Sequence, residues 1–187
     1  MIKQFRVIRI LAISGSLRTT SSNTALLRAA TTLAPEGVEI SVYGGIGDLP
    51  HFNPDLEGSK PSSVMDFRTR LHKSDGILIS SPEYAHGVPG LLKNALDWVV
   101  GSGELVGKPV ALLNASPRAT YADASLRETL TTMDARIVAE ASLTVPLPTN
   151  KIDEVGIVAD SEISSVLHTA LVAFVYAIKA LQAEDSN

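Results

Sequence analysis

The chain has 187 residues, 45% of them hydrophobic, and a formal charge of -4, which fits one well-buried globular domain with no room for a second. The acidic balance argues against nucleic acid as a partner, because phosphate backbones demand a basic face. With no cysteine, disulfides, thiolate catalysis and Cys-based metal sites are excluded. His51, His72, His86 and His168 show no i, i+4 pairing, so no metal site is expected.

In chain order, apolar β-branched strands alternate with helical patterns. Phe5–Ser14 reads as a strand leading straight into a turn, without the pattern of a signal peptide. A helix from about Asn23 follows, with Leu26, Ala29, Ala30 and Leu33 on one face. "VEISVYG" is a second strand. Gly44–Lys60 is a polar, Pro-rich loop, and Pro61–Lys73 a helix. "GILISS" is a third strand with almost no alternation, as expected when both faces are buried. "GLLKNALDWVVG" is a helix, with Trp98 expected in the core or at a subunit contact, and "PVALLNAS" a fourth strand. A helix over Tyr121–Met133, a short strand over Ala135–Ala139 and a long helix over Asp160–Ala183 complete the chain. No stretch is expected to reach the roughly 20 apolar residues that span a bilayer, so the cytoplasm is the expected location.

Five strands alternating with helices predict a parallel sheet covered on both faces, with right-handed crossovers. Ligands of such sheets bind beyond the carboxyl ends of the strands. The loops after strands one, three and four are also the most unusual in the chain.

After strand one the sequence reads "SGSLRTTSSNTALLRAA". The chain turns at Gly15 and enters a helix whose first amides lack internal partners and favour an anion. Ser16, Ser21, Ser22 and Asn23 can donate hydrogen bonds, and Arg18 adds charge and a forked donor. Taken singly, Ser22 or Asn23 needs only to be a helix cap and Arg18 a solvated side chain. Taken together, they point to phosphate. The loop has no Walker-type lysine motif, and the lack of G-x-G-x-x-G disfavours a dinucleotide site; Ser and Thr hydroxyls, in place of a lysine and magnesium, point to a terminal monophosphate.

After strand three comes "SSPEYAHGVPGLLKNALDWV". Pro82 and Pro89 restrict the backbone, Gly87 and Gly90 are read as sites of close approach or tight turning, and Tyr84 and His86 present aromatic faces. "GSLRTTSSNTALLRAA" and "SPEYAHGVPGLLKNALDWV" together resemble the NADPH-dependent FMN reductase family, which includes chromate, quinone and azo-dye reductases. The resemblance covers Ile8 to about Pro117.

It implies a flavodoxin-like, doubly wound five-stranded parallel sheet of order 2-1-3-4-5 with helices on both faces, forming a single domain over residues 1–187. It implies an FMN phosphate held by Ser16, Arg18, Ser21, Ser22 and Asn23. The isoalloxazine is lined by Pro82, Glu83 and Tyr84, largely through backbone, with His86 and Gly87 nearby and Ser116 in the third loop. That loop, "NASPRATYA", has Arg118, Ala119 and Thr120 where the family is often Gly-rich; Ala85 stands for a frequent asparagine and Gly87 for a frequent serine. Arg118 is a candidate contact for the phosphate of a nicotinamide nucleotide.

The implied activity passes electrons from NADPH or NADH through FMN to a small acceptor (quinone, flavin, azo compound or metal oxyanion) by a ping-pong scheme, with no catalytic side chain and no metal. The resemblance also implies a homodimer or homotetramer, which the apolar groups of "LLKNALDWVV", Trp98 included, are expected to serve. Two other readings are a non-enzymatic flavodoxin-like electron carrier, usually far more acidic, and a flavin-free nucleotide-binding or transferase domain.

Overall fold

The computed structural model describes residues 6–145, 147–149 and 151–184. Six strands and six α-helices run β1 (Ile8–Ser14), α1 (Ser22–Thr32), β2 (Val38–Val42), α2 (Ser62–Lys73), β3 (Gly76–Ser80), α3 (Gly90–Asp97), β4 (Pro109–Asn114), α4 (Thr120–Thr132), β5 (Arg136–Ile137), β6 (Leu143–Thr144), α5 (Glu154–Ala159) and α6 (Ser161–Glu184). The sheet is parallel in the order β2-β1-β3-β4-β5, with β6 also pairing β4. Phe5, expected to open β1, lies outside the described residues.

The near-continuous apolar runs of β1, β3 and β4 reflect burial on both faces. Ile10, Ala12, Leu78, Ala111 and Leu113 point into one core with Leu26, Leu27, Leu167, Leu171 and Phe174 from α1 and α6. Leu11, Ile13, Ile77, Ile79, Val110 and Leu112 point into the other, with Phe67, Leu71, Leu92, Leu96 and Leu126 from α2, α3 and α4. This is the doubly wound arrangement.

Several elements differ from the sequence reading, among them α5, which it does not contain. The fifth strand position is filled by two short pieces, β5 and β6, separated by a 3-10 turn at Ala139–Ala141. The Ser142 hydroxyl bridges the break, accepting from Leu112 N (3.0 Å) and donating to Val138 O (2.7 Å). The Gly44–Lys60 passage contains two 3-10 segments, Gly45–Asp48 and Pro54–Ser59. By length and composition α6 is apolar enough to cross a membrane, with a mean hydropathy of 1.6, which the sequence reading had not expected. Its stripe of Ile163, Leu167, Leu171, Phe174 and Ile178 is instead committed to the first core.

Trp98 is fully buried at 1% exposure, with its indole N–H donating to Pro50 O at 2.7 Å and Phe52 edge-on at 5.1 Å. Leu92, Ala95, Leu96 and Val99 are buried beside it. These side chains serve the core of their own chain, and Trp98 holds the 50–52 loop down, while Val100 of the same run is exposed.

Candidate functional site

The loops after β1, β3 and β4 converge at the carboxyl edge of the sheet, because β1, β3 and β4 are neighbours in it. Between them lies a cleft of about 290 Å³.

The first wall runs from β1 into α1. Gly15 is required there: a Cβ would meet Ser81 Oγ at 2.3 Å, Ser81 Cβ at 2.9 Å and Ser81 Cα at 3.1 Å. Its amide donates to Ser80 O at 2.9 Å, so the first and second loops are laced backbone to backbone. Ser21 is the N-cap of α1, its hydroxyl accepting from Thr24 N at 3.4 Å. The Asn23 side chain is buried and accepts from the Ser80 hydroxyl at 2.9 Å, while the Ser14 and Thr24 hydroxyls pair at 2.8 Å. Part of the polar cluster thus fastens α1 to the sheet.

Ser16 Oγ accepts from Arg18 N at 3.3 Å, bending the loop. The exposed Arg18 guanidinium borders the cleft and forms no ion pair among the described residues. No acidic residue precedes it in the loop, so its charge is available to a ligand.

The second wall is Ser81–Tyr84. Tyr84 and Gly87 exchange backbone hydrogen bonds of 3.2 and 3.0 Å across a two-residue turn, in which Ala85 (φ 49°) and His86 (φ 59°) both adopt left-handed backbone. A two-residue hairpin of this hand needs positive φ at both central positions. Glycine freedom is therefore not used where the sequence suggested it. A Cβ on Gly87 would lie 3.6 Å from the nearest atom and one on Gly90 would meet nothing within 4 Å.

The third wall is formed by β4's end and α4's start. Asn114 Oδ1 accepts from Ser116 N at 2.9 Å and its amide nitrogen donates to Ala119 O at 3.3 Å. The loop needs no glycine because the asparagine holds its turn.

Of the residues singled out from sequence, Ser16, Arg18, Ser21, Ser22, Asn23, Pro82, Glu83, Tyr84 and Ser116 all border the cleft, as does Arg118. His86 and Gly87 do not: the His86 ring turns away and stacks on Tyr121, centroids 4.3 Å apart. Sequence reasoning missed Ser81 and Asn114. Asn114 at the end of an apolar strand, followed by small residues and a proline, is the signal that marks it. Among the described residues no cluster of His, Asp and Glu is arranged for a metal.

Residues 8–149 match the model of the NADPH-dependent FMN reductase family. The chain belongs to that family. It is 33% identical over 184 residues to an NAD(P)H-dependent FMN reductase of Pseudomonas aeruginosa, covering 94% of this chain and 97% of the relative. It is 31% identical over 178 residues to a quinone reductase of Escherichia coli K12, covering 89% and 93%. Among solved structures, FerB, a flavoenzyme NAD(P)H:(acceptor) oxidoreductase of Paracoccus denitrificans, superposes with a TM-score of 0.76 at 32% identity over 93% of this chain and 98% of that one. An oxidised flavodoxin from Bacillus cereus shares the fold, with a TM-score of 0.60 at 20% identity over 90% and 97%. As a member of the NADPH-dependent FMN reductase family, the protein is an oxidoreductase with FMN as cofactor and NAD(P)H as electron donor.

Proposed function

We propose that the cleft binds one FMN with its phosphate on the β1–α1 loop and its ring between the Ser81–Tyr84 and β4–α4 walls. In that position it transfers electrons from a nicotinamide nucleotide to a small acceptor such as a quinone. The observation that carries this reading is the make-up of the first wall: an arginine with no ion pair among the described residues beside the start of a helix, on a loop pressed against the second wall at Gly15.

The residues present fit the group. A phosphate dianion needs positive charge and several donors to leave water, and the first wall offers Arg18, the Ser16 and Ser22 hydroxyls and the leading amides of α1. Glu83, the one carboxylate bordering the cleft among the described residues, accepts a hydrogen bond from Ala122 N at 2.8 Å at the start of α4, where the helix dipole favours negative charge. Asn23, tied to Ser80, orients the first turn of α1 and contributes to the phosphate site mainly by shape.

When bound, FMN supplies the hydride and electron chemistry of its ring. The chain's tasks are to anchor, orient and leave one ring face open. Pro82 and Tyr84 border that ring, and Tyr84 is 55% exposed beside it. Arg118, across the cleft mouth from Arg18, is placed to attract the phosphate of the nicotinamide nucleotide. Donor and acceptor take the same open face in turn, so the order is ping-pong. Steady-state kinetics with NADPH and a soluble benzoquinone test this: parallel double-reciprocal lines are expected, and intersecting lines refute a shared face.

We further propose a homodimer or dimer-based tetramer in which a second copy lies beside the cleft, supported by the exposed Tyr84 on its border and the exposed Leu17 and Tyr121 on the segments that follow β1 and β4. Light scattering at micromolar concentration checks this, and a monomeric mass refutes it.

A further inference from the structure

The second and third walls of the cleft are fastened to each other at two points, and both fastenings come from residues that the phosphate end of the site does not use. Helix α4 has no cap of its own: the residue at its N-cap, Ala119, offers no side-chain acceptor, and Asp123 in its first turn is engaged by Arg127 at 2.7 Å. One of the amides that a helix cannot satisfy internally, that of Ala122, is met by the Glu83 carboxylate from the loop after β3.

The second fastening is the His86–Tyr121 stack, at 4.3 Å and 20° between planes. His86 reaches it from the two-residue turn closed by Tyr84 and Gly87, which holds Ala85 and His86 in left-handed backbone, a conformation that non-glycine residues avoid. Both fastenings land on adjacent residues, Tyr121 and Ala122, in the first turn of one helix.

We propose that Glu83 and Tyr121 are positioning residues: the carboxylate–amide bond and the ring stack together set the spacing between the Pro82–Tyr84 wall and the β4–α4 wall. That spacing is the width of the slot for the isoalloxazine ring, so the inference rests on the FMN reading above. Glu83 acts here as a strut between two loops and takes no part in proton transfer. The phosphate wall, laced separately through Gly15 and Ser80, is untouched by it.

Glu83→Ala, Glu83→Gln, Tyr121→Ala, Tyr121→Phe and the Glu83→Ala/Tyr121→Ala double variant are titrated with FMN and with riboflavin by flavin fluorescence. The melting temperature of each flavin-free protein and the visible circular dichroism of its bound flavin are also recorded. Glu83→Ala and Tyr121→Ala should each weaken both flavins by the same factor, about five- to tenfold, the size of an ordinary coupling between neighbouring sites. Both should also alter the dichroism.

Glu83→Gln, whose amide oxygen still accepts from Ala122 N, and Tyr121→Phe, which keeps the stack, should stay near wild type. The double variant should lose less than the product of the two single losses. Unchanged flavin affinity in Glu83→Ala, whatever its melting temperature, overturns the proposal, because Glu83 is then only a helix cap. A Glu83→Gln variant as weak as Glu83→Ala overturns it too. If Glu83→Ala does not fold, unchanged affinity in Tyr121→Ala is the refuting result. Wild-type protein that binds neither flavin removes the FMN reading itself, a different failure from either of these.

Discussion

Replacing Arg18 with alanine isolates the charge at the phosphate end of the cleft. The side chain is exposed, makes no ion pair among the described residues and borders the cleft; only its backbone amide is used by the fold, bonded to Ser16 Oγ. Stability should therefore change by less than about 0.5 kcal/mol, as for other surface substitutions. A hydrogen bond to a charged group contributes about 1.5–3 kcal/mol, and about 1.4 kcal/mol is tenfold in a binding constant. That range converts to FMN binding about ten- to a hundredfold more weakly. Riboflavin lacks the phosphate; it should bind wild type poorly and be nearly indifferent to the substitution. Fluorescence titration of both flavins against both proteins supplies the four constants. Equal losses for FMN and riboflavin would show that Arg18 does not hold phosphate and that the first loop has been misread.

Gly15→Ala forces a Cβ to within 2.9 Å of Ser81 Cβ and 3.1 Å of its Cα; it should cost about 1–3 kcal/mol, as overpacking does, with FMN affinity falling as well, and urea unfolding checks the first part. Trp98→Phe removes a fully buried indole and its bond to Pro50 O, and should lower the urea midpoint by the equivalent of about 2–3 kcal/mol without changing the slope. Burial, reinforced by Asp66, raises the Tyr43 hydroxyl above its usual range, against a smaller opposing pull from Arg70. The neutral phenol therefore stabilises the fold fully below about pH 10, and that stability is lost as the pH climbs through the raised folded value. Stability curves of wild type and Tyr43→Phe should diverge only above about pH 10, the wild type falling more steeply; parallel curves refute this.

The fold was legible because burial on both faces writes itself into composition. Runs such as "GILISS" and "PVALLN" have no polar alternation, and α6 carries its core stripe in plain view. The split of the fifth strand was not legible. It depends on the Ser142 hydroxyl standing in for a backbone partner, and a serine in a short polar stretch carries no sign of that.

At the site, residue types and loop order identified most of the cleft border, since chemistry selects side chains. Sequence could not divide the polar groups between β1 and α1 into those that tie α1 to the sheet (Ser14 with Thr24, and Asn23 with Ser80 of β3) and those that only face the cleft. That division depends on which side of a helix start each faces, a matter of a fraction of a turn. Nor could it foresee the left-handed pair at Ala85 and His86. The turn is closed by the Tyr84–Gly87 backbone bonds, and His86 stacks on Tyr121 of α4, distant in sequence, while the neighbouring glycines drew attention to the wrong positions.

The most direct test of flavin-dependent oxidoreductase chemistry in this cleft is the visible absorption spectrum of the FMN-loaded protein, recorded without oxygen before and after NADPH and again after a quinone is added. One flavin per chain should bind, bleach fully with one equivalent of NADPH, and recover its oxidised band with one equivalent of quinone. FMN that binds yet stays oxidised in excess NADPH and excess NADH would contradict the account.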